Sequence, residues 1–173
     1  MRAKRLILVG CWLAVAAVPG AAQPPMPKPG AEHEMLKEKF AGDWDVTVSI
    51  GGTDAKATAT YKMDLGGFWL VEQFRGEFAG QKFEGRGTLG YDPIKKKFIG
   101  TWTDSMSPSL IVLEGAFKDK TLTSTGEGPG MDGKITKLKN VYEFQDKDTI
   151  VFRMYEVGDK EKEMMKLTYK RKK

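Results

Sequence analysis

The chain has 173 residues, 40% of them hydrophobic and 29% charged, with a formal net charge of +5. Residues 1–22 hold three of the 28 basic residues and the only cysteine, so the remainder carries 25 basic against 23 acidic side chains. That near-neutral remainder excludes disulfide and thiolate chemistry, gives no support to nucleic-acid binding, and is long enough for one domain with a real core.

Residues 1–22 have the pattern of a secretory signal peptide. Arg2, Lys4 and Arg5 form a positive start, residues 6–18 an apolar run, and Pro19-Gly20-Ala21-Ala22 a break with small residues before a cleavage point ahead of Gln23. The apolar run is short for a membrane span, so no transmembrane segment is expected, and the protein is expected in the periplasm or outside the cell. Leu8-Val9-Gly10-Cys11 offers the alternative of a lipoprotein box with Cys11 lipidated, although apolar residues continue past it.

Residues 23–30 contain prolines 24, 25, 27 and 29 and read as a stiff, extended tether. One domain is expected over residues 31–173. It begins with a short helix over residues 31–41, with Glu32 and Glu34 near its start and Lys37 and Lys39 near its end. His33, Leu36 and Phe40 share one face, and Gly42 ends the helix.

From Trp44 the period changes to two. Trp44, Val46, Val48 and Ile50 alternate with polar residues, as do Ala57, Ala59, Tyr61 and Met63, then Phe83, Gly85, Gly87, Leu89 and Tyr91, and later Leu138, Asn140, Tyr142 and Phe144. Turn residues separate the segments, among them Gly51-Gly52, Gly66-Gly67, Ala79-Gly80, Asp92-Pro93 and Gly128-Pro129-Gly130. The pattern predicts about ten strands with links too short for a crossover helix. The fold class is therefore all-β: an up-and-down antiparallel barrel of 8–10 strands with a short N-terminal plug helix.

Ala57, Ala59, Gly85, Gly87 and Gly100 share a phase with large apolar residues. Small inward side chains leave room for a ligand in a barrel of this size, unless Phe68, Phe74, Phe98 and Trp102 fill it.

The residues resemble those of the bacterial secreted domain-of-unknown-function family 1579, which is similar to the calycin superfamily of lipocalins and fatty-acid-binding proteins. The resemblance runs from about residue 29 to residue 172. It rests on Glu32-His33 with Leu36, Gly42-Asp43-Trp44, Gly66-Gly67 with Leu70 and Glu72, Phe83-Glu84-Gly85 with Gly87, Gly90-Tyr91-Asp92, Lys96-Lys97-Phe98 with Trp102 and Asp104, and Phe152 with Met154-Tyr155. It implies a barrel with no assigned activity. The calycin likeness further implies a barrel base in which Trp44, introduced by Gly42, packs under a basic residue of the last strand. Arg171, in phase with Met165, Leu167 and Tyr169, fits that role.

A single histidine beyond the signal and no Gly-x-Ser-x-Gly elbow argue against nucleophilic catalysis, and scattered carboxylates are poor material for a metal site. His33, on the plug helix, is expected to pack against the base rather than hold haem. No cofactor is expected. Glu72, in phase with Leu70 and Phe74, and Asp104, in phase with Trp102, are the leading polar candidates. Pointing inward together, they would raise at least one carboxyl pKa; at the mouth, or paired with Arg75, Arg86 or Arg153, they would not. The candidate ligand-binding set is Glu72, Trp102, Asp104, Asn140, Tyr142 and Met154, for a small apolar or amphipathic ligand in a monomer or weak oligomer. An enzyme built on the Glu72/Asp104 pair and an envelope interaction module with a filled barrel are the alternatives.

Overall fold

Helix α1 (Ala31–Phe40) leads into ten strands in the computed structural model, which describes residues 26–173. The signal pattern, Cys11 and the first three residues of the tether lie outside the described residues. The strands are β1 (Gly42–Ile50), β2 (Thr53–Asp64), β3 (Trp69–Phe78), β4 (Gln81–Asp92), β5 (Lys97–Asp104), β6 (Ile111–Lys118), β7 (Thr121–Pro129), β8 (Ile135–Asp146), β9 (Thr149–Val157) and β10 (Glu161–Arg171). Each pairs antiparallel with its sequence neighbour, and β1 pairs with β10 to close the barrel. Closure leaves no free strand edge, which a ten-stranded open sheet would expose at both sides.

The period of two sets which side chains point in. Val46 and Val48 on β1, Ala57, Ala59 and Tyr61 on β2, and Leu70, Glu72 and Phe74 on β3 are all buried. On β3 the sequence leaves both faces apolar. The structure resolves this by laying Trp69 outside, over Gly90, where a Cβ would stand 2.8 Å from the indole. Only glycine opposite leaves room for that ring.

The two ends of the barrel differ. At one end α1 closes the interior with His33, Leu36 and Phe40, all buried. His33 is part of the helix start: its Nδ1 accepts the Gly30 N–H at 3.1 Å, and its ring stands edge-on to Phe68 at 5.3 Å. Trp44 is fully buried beside the helix, and its Nε1–H donates to the Phe40 carbonyl at 2.8 Å. The Arg171 guanidinium lies over the indole, 4.2 Å from the ring centroid. It also donates to the carbonyls of Ala41, Lys39 and Lys147, capping the C-terminal end of α1. Gly42 has φ of +131°, and a Cβ there would meet the Arg171 guanidinium at 2.8 Å. Gly42, Trp44 and Arg171 thus form one unit that fastens the plug helix to the strand seam.

The other end carries the β1–β2, β3–β4, β5–β6, β7–β8 and β9–β10 links. Met106, Leu110, Val112, Met131 and Ile135 are exposed on two neighbouring hairpins there.

Candidate functional site

The barrel interior holds a cavity of about 470 Å³ that reaches from Phe40 on the plug helix to Met106, Ser107 and Ser109 in the β5–β6 link. It therefore opens at the end opposite α1. Its walls are mostly aromatic and aliphatic, with the floor formed by Phe40 and the rings it touches. Phe40 lies 5.4 Å from both Tyr61 and Tyr142, centroid to centroid.

Strand register assembles the polar part of the site. Tyr61 on β2 pairs with Glu72 on β3, Glu72 with Gly87 on β4, and Gly87 with Trp102 on β5. These four residues form one inward row across four strands. Facing them, Ser124 on β7 pairs with Asn140 on β8, and Asn140 with Met154 on β9. Glu72, Trp102, Asp104, Asn140, Tyr142 and Met154 all border the one cavity.

The glycines of β4 do not simply leave empty space. A Cβ on Gly85 would overlap the Trp102 indole, and one on Gly87 would stand 3.3 Å from it. Gly85 and Gly87 are the bed on which Trp102 lies, so Trp102 takes the room they release while the cavity continues beside it.

The two carboxyls have different environments. Asp104 sits at the mouth with its oxygens engaged: Oδ2 accepts from Trp102 Nε1 at 3.0 Å, and Oδ1 accepts from the Met106 and Ser107 N–H groups, each at 2.9 Å. It fixes the indole and the β5–β6 link together. Glu72 is buried at 6% exposure, and its Oε1 has no hydrogen-bond partner. Burial pushes its pKa up to about 7, and the adjacent Tyr61 hydroxyl works in the opposite direction. The rise is thus a desolvation effect rather than the repulsion of a second carboxylate. None of the three arginines that could have paired with it does so. Arg75 pairs with Glu84, Arg153 with Glu143 and Glu163, and Arg86 donates to the Gly85 carbonyl.

Among the described residues two further buried side-chain polar atoms lack a hydrogen-bond partner, the Tyr61 hydroxyl and Asn140 Oδ1. All three orphaned atoms belong to residues that border the same cavity. Tyr61, Tyr142 and Tyr169 have their pKa values pushed well up by burial and by the neighbouring Glu72, so they stay neutral donors.

Sequence reasoning placed Tyr61 inward but did not join it to Glu72, and it missed Met164. Tyr61 follows from cross-strand register, which alternation within one strand does not reveal. Met164 reaches the cavity alongside Met165 because β10 carries a bulge between Glu163 and Met165. Among the described residues no cluster of three or more His, Cys, Asp or Glu side chains is placed to hold a metal, and no helix is long and apolar enough to cross a membrane.

No curated protein matches the chain. Among solved structures it is similar to Rv2717c from M. tuberculosis, at 12% identity and a TM-score of 0.54, over 83% of this chain and 99% of that one. A redesigned β-barrel is similar at 12% identity and a TM-score of 0.45, over 78% of this chain and 92% of its own. At such identity the likeness to Rv2717c concerns the fold alone. The chain belongs to the protein family of unknown function DUF1579, whose pattern it matches over residues 28–171.

Proposed function

We propose that this DUF1579 protein is an exported, non-catalytic container for one small, partly apolar molecule. The observation that carries the reading is the open cavity of about 470 Å³, apolar on most of its wall, with a few buried polar groups bordering it. Such concave, mostly apolar sites with sparse polar groups are the usual form of a small-molecule site. A filled interior would have favoured an interaction module instead. The enzyme alternative is weaker, because Asp104 already spends both oxygens on Trp102 and the β5–β6 link. Export rests on the signal pattern of residues 1–22.

Titration with Nile red, an uncharged apolar dye, tests this reading. The expected result is saturable binding of one dye per chain with quenching of tryptophan emission, since Trp102 borders the cavity. Met154→Trp, which projects a bulky ring into the same space, is expected to weaken binding at least tenfold. Dye binding that is unchanged in Met154→Trp would place the dye on the exposed apolar hairpins around Leu110 and Met131, and the container reading would fall.

A further inference from the structure

We propose that the cavity selects amphiphiles with a cationic amine head, seated on Glu72 with the apolar body directed toward the open end. This rests on the container reading and specifies its ligand class. Three observations lead to it.

The first is the sign of the lining. Among the described residues no lysine, arginine or histidine borders the cavity, and its only charged side chains are Glu72 and Asp104. An anionic head, such as a fatty carboxylate, would enter a space with no cation to meet it and two carboxyls to repel it. The energetic cost of an unpaired charge in such a space is large.

The second is the orphaned polar set. Glu72 Oε1 and Asn140 Oδ1 both accept, and the Tyr61 hydroxyl can do so. All three are buried and have no protein partner at hydrogen-bond distance, although the Tyr61 hydroxyl lies near enough to Glu72 to act on its charge. An ammonium brings up to three N–H donors and a positive charge, so it supplies what the wall lacks. A neutral hydroxyl brings one donor and no charge.

The third is the indole. Glu72 Oε2 and Trp102 Cε3 flank the same missing side chain, lying 3.1 Å and 3.3 Å from where a Cβ on Gly87 would stand. A cation at the carboxylate therefore rests beside an indole whose N–H is already tied to Asp104. A cation near an aromatic ring gains further when water is excluded.

Binding is then linked to pH. The groups near Glu72 are Tyr61 from β2, Tyr142 from β8 and Tyr169 from β10, with Gly87 and Trp102 beside it on β4 and β5. The tyrosines stay neutral, and Asp104 stands at the mouth. Glu72 is protonated in the empty protein below about pH 7, and it must release that proton to solvent before it pairs with an ammonium. An alkylammonium keeps its charge throughout, like lysine.

The test compares octylamine, octanol and octanoate on the full barrel by calorimetric titration at pH 6 and pH 8. Octylamine is expected to bind about tenfold or more tightly than octanol at pH 8, and octanoate most weakly. Its affinity should rise about tenfold from pH 6 to pH 8 while that of octanol stays flat. Glu72→Gln should abolish both the preference and the pH dependence and leave octanol binding in place. Octanol or octanoate binding as tightly as octylamine would overturn the amine head and leave the container reading standing. Nile red binding with none of the three bound would do the same. Failure of Nile red and of all three ligands would overturn both. The wild-type comparison alone decides if Glu72→Gln does not fold.

Discussion

Trp44→Ala is expected to cost about 3–5 kcal/mol of folding stability, the range for truncating a fully buried tryptophan. For a domain of this size that corresponds to a fall in Tm of about 6–20 °C. The reason is the number of elements the side chain joins. Its ring fills the base of the barrel, its N–H donates to Phe40 at the end of α1, and the Arg171 guanidinium covers its face. Removing it unfastens helix, first strand and last strand together. Trp44→Phe separates these contributions. It keeps most of the bulk and loses the donor to the Phe40 carbonyl, and is expected to cost about 1–3 kcal/mol, the penalty of an unmet buried polar group. Thermal unfolding followed by circular dichroism checks both. A Trp44→Ala protein that melts with the wild type would show that the base is not where the barrel is held shut.

That part of the fold was legible before the structure. Trp44, Val46 and Val48 alternate cleanly, Gly42 precedes them, and Arg171 shares the phase of Leu167 and Tyr169. Period two fixes the face of a side chain within its own strand, and the strand count follows from turn residues. What alternation does not fix is the offset between strands. The partnership of Tyr61 with Glu72 depends on how the short Leu65–Gly67 turn, with Gly66 and Gly67 at positive φ, sets β3 against β2. The same limit hid Gly85 and Gly87 as the bed of Trp102, because small inward residues read as space until the neighbouring register is known. Met164 was hidden differently: a bulge breaks the alternation that identifies inward residues.

Glu72→Leu is expected to stabilise the protein at pH 8 and to do much less at pH 4. In the unfolded chain the Glu72 carboxyl titrates near 4.5, and in the folded barrel near 7. The folded state therefore binds this proton more tightly. The stability Glu72 contributes is fully present below pH 4.5 and is lost as pH rises to about 7. The loss amounts to roughly 3 kcal/mol, at about 1.4 kcal/mol per pH unit across that window. Leucine removes the titration and replaces an unpaired buried carboxyl with a group suited to the wall. Chemical denaturation at a series of pH values gives the difference between the two proteins, in which the other carboxylates cancel. The gap should widen between pH 4.5 and 7 and be constant above. Parallel curves would show that Glu72 is solvated or paired in the fold. A costly carboxyl kept in the core fits a group retained for a ligand rather than for stability.

The most direct measurement is the side-chain carboxyl 13C shift of Glu72 followed by NMR from pH 3 to pH 9, first empty and then with octylamine. A midpoint near 7 in the empty protein, falling by a pH unit or more with the amine bound, is the expected result, because a cation beside a carboxylate favours its charged form. A midpoint near 4.5 in the empty protein would contradict a buried, unpaired Glu72 lining the cavity.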